Sequence, residues 1–352
     1  MRALGWAVGA VALGLAVLFL GLEAAGFNAV AGLSALWLGA FGSWDAFTSS
    51  TLVRAVPLIL IGLGISVAFR GGALNIGAEG QFYAGAIAAT WVGLHLAGAP
   101  RPIAIAVLLL AAAVAGFGWA VLPVWLKLRF GVIEVISTLL LNFVALSLVS
   151  YMVQGPLQER GGIYPQSDAI ADSARLPLLP GSRLHAGLIL AVAGGLVLWF
   201  LFARTLWGFR LRAVGLGPRA AEVSGRIDSQ GVSAMALLIS GAIAGLAGGV
   251  EVSGVSYALF QNLSPGYGFT GIAVALLGGL HPIGVVVSGI LFGALEAGAG
   301  AMQRDAGIPA VAVYVVEAVV IIVALLATVP RGGWIGLRSV VRKRIAPGKA
   351  AG

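Results

Sequence analysis

The sequence has no cysteine and only three histidines. Without thiols there is no disulfide framework and no thiolate chemistry, while the compartment stays open. Charge is scarce too: 10% of the 352 residues are Asp, Glu, Lys or Arg, against roughly 25% in soluble domains. No GxxxxGK loop followed by Ser or Thr occurs, no HExxH, and no His, Cys and carboxylate group with metal-ligand spacing. If ATP drives this protein, another chain hydrolyses it. Gly266, Gly268 and Gly271 match GxGxxG, but that string leads from a loop into an apolar run without a βαβ unit and is no nucleotide fingerprint.

What the chain has instead is apolar length. It is 60% hydrophobic with 53 Gly and a mean hydropathy of +1.03, in continuous Leu-, Ala-, Val- and Gly-rich runs near the ~20 residues that cross a bilayer. A β-barrel would alternate over short segments, so the backbone must satisfy itself as helices. The chain is an all-α polytopic membrane protein. Its net charge of +8 sits at the ends of the runs and in the tail, where it sets topology rather than binding nucleic acid.

Reading apolar runs between polar breaks predicts ten spans, near 5–22, 51–69, 76–97, 103–126, 132–153, 186–203, 231–257, 268–280, 282–301 and 311–328, with both termini cytoplasmic. The first is read as an uncleaved span rather than a signal peptide. Of the 21 Lys and Arg, fifteen then lie inside, and only Arg54, Arg101, Arg160, Arg175, Arg183 and Arg304 lie outside, as the positive-inside rule requires. A crossing by 29–47 would invert that balance, so this stretch is read as an outer surface helix. The run 268–280 is short for a crossing and reads as a half-helix. An outer loop spans 154–185, an inner loop 204–230, and a basic tail 331–352.

Polar residues inside spans are expensive and mark the places to look for function. Asn75, Glu79 and Tyr83 recur at intervals of four and share one face if their stretch is helical. A second stripe in the fifth span carries Glu134, Ser137, Thr138 and Asn142. Two stripes starting at one membrane face suggest a lined passage; the alternative is interhelical hydrogen bonding, worth about 0.6 kcal/mol per contact. Glu251, Glu296 and Glu317 stand singly in apolar spans, without a histidine or basic partner for a proton relay, since His95, His185 and His281 all fall at span ends. The glycines at 241, 245 and 249, and at 289 and 293, have the spacing of close helix packing. In the inner loop, Pro218, Arg219, Ala220, Ala221, Glu222, Val223 and Ser224 can form a short helix that Gly225 ends, an exposed element suited to docking.

Four motifs in order, RGGALNIGAEGQ (70–81), GVIEVISTLLLNF (131–143), AVGLGPRAAEVSGRI (213–227) and GYGFTGIAVALLGGLHPIG (266–284), resemble the permease subunits of bacterial ABC importers in the branched-chain amino acid and simple sugar permease family. The NIGAEGQ form looks like its nucleoside-type branch. The resemblance covers about residues 50–330 and implies a type II importer permease fold with two pseudo-symmetric halves in the bacterial inner membrane. It also implies three partners: a second permease forming a heterodimer, an ATPase chain that binds the ATP and Mg, and a periplasmic or lipoprotein substrate-binding protein. This chain would carry no cofactor and catalyse no covalent step. By position, Pro218 to Arg226 would be the coupling helix on the ATPase, although Gly217 stands where the family pattern has Asn. Lys127 to Thr138 would lie at the inner gate, with Asn75, Glu79, Gln81 and Asn142 near the pathway. An ion-coupled secondary transporter would instead work as this chain alone, and a membrane-embedded enzyme would cluster its catalytic groups at one depth.

Overall fold

A computed structural model describes residues 2–225, 227–316, 318, 319 and 322. The element order is α1 (Arg2–Ala24), α2 (Ala29–Phe41), α3 (Val53–Arg70), α4 (Ala78–Leu94), α5 (Arg101–Phe130), α6 (Glu134–Gln154), α7 (Gly187–Arg204), α8 (Leu206–Leu216), α9 (Pro218–Gly225), α10 (Ser229–Glu251), α11 (Tyr267–Leu277) and α12 (Pro282–Ala306). A π-helical stretch, Ala46–Leu52, leads into α3, and another, Val252–Ser256, ends α10. Among the described residues β-structure amounts to two isolated bridges, Gln166 with Phe260 and Leu178 with His185.

Six helical stretches among the described residues are long and apolar enough to cross a membrane: Ala46–Arg70, Arg101–Phe130, Glu134–Gln154, Gly187–Arg204, Ser229–Ser256 and Pro282–Ala306. Each coincides with an expected span, and α1 covers the expected 5–22. Two of the expected ten correspond to shorter helices than these six. The run 76–97 holds only α4, of 17 residues, and 268–280 only α11, of 11 residues. Half of 311–328, Glu317 within it, and all of the tail 331–352 lie outside the described residues.

The bundle is built on α3, which is buried along most of its length, and on α10, which packs against α3, α4 and α5. Glycine makes that closeness possible. A Cβ on Gly245 would lie 2.4 Å from the Ala112 carbonyl of α5, one on Gly248 2.1 Å from the Phe82 carbonyl of α4, and one on Gly116 2.3 Å from the Gly241 carbonyl. The spacing at 241, 245 and 249 is therefore a packing face, as the sequence indicates. Gly289 and Gly293 do the same for α12 on α3, with would-be Cβ contacts of 2.4 Å to Ile59 and 2.7 Å to the Thr51 carbonyl.

The stretch read as a surface helix is α2, and it lies along the second half of α12. Gly39 faces Ala301, the Leu36 carbonyl faces Gly298, and Gly32 faces Ile308, while Trp37 and Leu38 face outward. The loop 154–185 is equally tied down. Backbone N–H groups of Ser167, Ile170 and Leu176 donate to the carbonyls of Leu259, Tyr257 and Ser253, each at 2.8 Å, which supplies partners to the segment where α10 unwinds. Ile170, Ala174 and Leu176 are buried beneath it.

Candidate functional site

The polar residues of both stripes gather where α4 and α11 begin. After α3, Gly71 and Gly72 (φ 75°) turn the chain, and residues 73–77 are non-helical before α4 starts at Ala78. The expectation of one helical face through Asn75, Glu79 and Tyr83 is corrected here: Asn75 precedes the helix, because the double glycine ends α3 and the asparagine side chain replaces the missing helical bonds. Asn75 Oδ1 accepts the Gly77 N–H at 2.9 Å, while its Nδ2 donates to Gln81 Oε1 at 2.8 Å and to Ser240 Oγ of α10 at 2.9 Å.

Asn142, from α6, completes the clasp. Its Oδ1 accepts the Gly80 N–H at 2.8 Å and its Nδ2 donates to the Ile76 carbonyl at 2.9 Å, so one amide side chain pairs with the backbone on both sides of the break. Glu134, a residue of the first turn of α6, accepts the Leu74 N–H at 3.2 Å and pairs with Lys127 Nζ at 2.7 Å. Lys127 also reaches Ser233 Oγ at 3.3 Å, which ties the ends of α5, α6 and α10 together. Ser137 and Thr138 turn their hydroxyls back onto the Glu134 carbonyl, at 3.2 and 2.7 Å.

The second broken helix is held from across the bundle. Glu79 Oε2 accepts the Gly268 N–H at 2.6 Å, so a carboxylate in the first turn of α4 also caps the first turn of α11. Two helix N-termini thus meet on one side chain. The contact needs glycine: a Cβ on Gly268 would lie 2.3 Å from the Glu79 nitrogen. Close approach explains the GxGxxG string, since Gly271 abuts Ile61 and Gly266 sits at φ 106°. Tyr83 OH accepts the Ser264 N–H at 3.1 Å, and Ser264 Oγ accepts the N–H of Gly266 and of Tyr267.

The structure therefore brings Asn75, Glu79, Gln81, Glu134, Ser137, Thr138 and Asn142 into one buried region, and spends their hydrogen bonds on interrupted backbone and on one another. The two stripes do meet, through the bonds of Asn142 to Gly80 and Ile76 and of Glu134 to Leu74. Ser240, Ser264 and Gly268 belong to the same junction and carry no signal in the linear sequence beyond small size. Arg54 lies within the helical stretch Ala46–Arg70, where its guanidinium donates to the Ser50 carbonyl at 3.2 Å. Among the described residues no grouping of three or more His, Cys, Asp or Glu could hold a metal.

The short helix of the inner loop is α9, Pro218–Gly225. Ala221 is buried and points into the protein, so the expectation that it faces a docking partner is overturned. The outward apolar side chains are Val223, 87% exposed, and Leu216, 90% exposed. Glu222 accepts the Ser229 hydroxyl, joining α9 to α10. Arg219 and Ala220 lie on the exposed side. Arg226 lies outside the described residues, as does the Ser224 side chain.

A helical membrane protein whose short helices begin inside the bundle, with polar side chains pairing the broken backbone, has the construction of a transport permease. The chain belongs to the family described as branched-chain amino acid transport system / permease component, whose profile matches residues 47–325. It is 39% identical over 317 residues to the guanosine ABC transporter permease protein NupP of Bacillus subtilis (strain 168), covering 89% of this chain and 90% of the relative. It is 37% identical to the glucose ABC transporter permease protein TsgB13 of Haloferax volcanii, over 86% of this chain and 82% of the relative. With the nucleoside ABC transporter permease protein NupB of Lactococcus lactis subsp. cremoris the identity is 35%, over 84% and 83%. No solved structure matches the chain.

Proposed function

We propose that this chain is the membrane-spanning permease of an ATP-driven importer for nucleosides. The observation that carries the reading is the 39% identity with a guanosine permease along nine-tenths of both chains. The permease itself breaks and makes no covalent bond; a separate ATPase chain binds ATP and Mg. A second permease completes the passage as a heterodimer, and a periplasmic or lipoprotein binding protein delivers the substrate. The complex lies in the bacterial inner membrane. The Arg70 end of the bundle and both termini face the cytoplasm, a reading supported by the surplus of Lys and Arg at that end.

The full fold is proposed to cross ten times, in two pseudo-symmetric halves. Support comes from a shared order in each: a long buried helix (α3 or α10), an unwound polar segment, a short helix (α4 or α11), then a long helix (α5 or α12). Pro218 to Gly225 form the coupling helix that docks on the ATPase. Glu134, Ser137 and Thr138, with Asn75, Glu79, Gln81 and Asn142, border the inner end of the pathway as its pinned gate. ATP-driven closure of the ATPase would move α9 and rock the halves between outward- and inward-open states.

The test is uptake into proteoliposomes holding this chain with its partner permease, ATPase and binding protein. ATP-dependent guanosine accumulation that excess glucose does not compete is the expected result. Uptake by this chain alone on an ion gradient would make it a secondary transporter, and competition by glucose, which the likeness to TsgB13 favours, would make it a sugar permease.

A further inference from the structure

One cation at the turn between α3 and α4 is engaged on every side. Arg70 is the last residue of α3 and only partly exposed. Its Nε–H donates to the Leu280 carbonyl, 210 residues away in sequence, at 2.7 Å. Its guanidinium carbon lies 4.8 Å from the centre of the Phe202 ring of α7. Its own carbonyl lies under α8, where a Cβ on Gly215 would come within 2.2 Å of it. The neighbouring Gly71 sits against Leu211 of α8 and Ala236 of α10, with would-be Cβ contacts of 2.8 and 2.5 Å.

The residue that Arg70 grips is itself unusual. Leu280 has φ 55°, a left-handed conformation that branched side chains avoid, so the corner between α11 and α12 persists because its surroundings hold it. Two bonds do so: the Leu280 N–H donates to the Ala275 carbonyl at 2.9 Å, and the Leu280 carbonyl accepts the Arg70 Nε–H. From this corner α11, a rod of about 16 Å at 1.5 Å per residue, leads back to Gly268 on Glu79. On the other side α8 leads through Gly217 into α9. Arg70 therefore stands between the platform of α9 and the far end of α11.

We propose that Arg70 is a positioning residue for transport: its side chain makes the α11–α12 corner move as one body with Phe202 at the end of α7 and, through the Phe202 ring on Trp207, with α8. A displacement delivered to α9 then reaches the junction of α4 and α11 instead of being absorbed in the intervening turns. The role asks for a side chain that hydrogen-bonds in a fixed direction while lying flat on an aromatic ring, which a guanidinium does and an ammonium does not. This inference rests on the reading of α9 as the ATPase-docking helix.

The experiment uses the reconstituted four-component complex and measures guanosine uptake and ATP hydrolysis in the same vesicles. Arg70→Lys and Phe202→Leu are expected to assemble at wild-type levels and keep basal hydrolysis, while uptake per ATP hydrolysed falls about tenfold, the scale of a typical coupling between sites. Phe202→Leu leaves the arginine in place, so it still reports if Arg70→Lys assembles poorly. An unchanged ratio of uptake to hydrolysis in the assembled variants overturns the inference, and so does a loss of both in proportion to lost assembly, which is a structural role only. If Val223→Asp leaves the wild-type complex fully coupled, the reading of α9 fails, and the inference with it, whatever the Arg70 variants do.

Discussion

Asn142 takes the part of a missing peptide: it offers one acceptor and one donor where residues 76–80 cannot yet pair helically. Asn142→Leu leaves the Gly80 N–H and the Ile76 carbonyl buried without partners, at a cost of about 1–3 kcal/mol each. The expected outcome is a clear fall in apparent melting temperature in detergent. Glu79 separates charge from capping. Glu79→Gln keeps an acceptor for the Gly268 N–H and should fold with little loss, whereas Glu79→Leu removes it and should lose roughly 1.5–3 kcal/mol; equal melting of the two variants would refute the cap. His185, just outside α7, makes a pH prediction. Burial holds its imidazole down to about 4 from the ordinary 6.5, between Gly187 and Gly254, with Nδ1 accepting the Gly187 N–H at 3.2 Å. The unfolded chain takes up a proton below 6.5 and the folded one only near 4. The contribution to stability is thus complete above pH 6.5 and is lost as pH falls through that interval, by at most ~1.4 kcal/mol per pH unit. Melting followed from pH 7 to 5 should fall more steeply in the wild type than in His185→Leu, and the difference isolates this residue from other titrating groups.

At the scale of elements, glycine position decides which helix faces can approach. On α5, Gly116 is wedged against Gly241 and Gly245, whereas a Cβ on Gly118 would meet nothing within 4 Å. Gly116→Ala should therefore overpack the α5–α10 contact, costing about 1–3 kcal/mol, while Gly118→Ala two residues on should be neutral or gain roughly 0.5–1 kcal/mol of helix propensity. Melting of the pair checks both signs at once. The helices and this packing face were legible in the sequence because hydrophobic length and glycine spacing are local patterns. The polar stripes were legible too, and they do meet. Their use was not, because it depends on where the helices break: no local pattern says that 73–77 are non-helical, or that Glu79 caps a helix that begins 188 residues later at Tyr267. Ala221 was misjudged for a similar reason. Which side of an eight-residue helix faces inward is set by what it packs on, here α8 and α10.

For the whole molecule, the proposed docking of α9 on an ATPase makes its two faces predict opposite failures. Ala221 is buried, so Ala221→Asp places a charge in the packing of the loop and should reduce the amount of folded protein before it affects transport. Val223 points outward, 87% exposed among the described residues, so Val223→Asp should leave the isolated permease folded and its melting unchanged. If α9 docks on the ATPase as proposed, the same charge falls on that surface, where losing an anchor at a hot spot costs about 2 kcal/mol or more. ATP-dependent uptake should then fall about tenfold or more, with the permease still present in the membrane. The comparison has to be made in both settings, melting of the purified chain and uptake by the complex, because only their divergence separates a docking face from an ordinary exposed loop. Normal uptake by a complex carrying Val223→Asp would mean that the apolar side chains at 216 and 223 face water or lipid for some other reason, and that the ATPase engages this chain elsewhere.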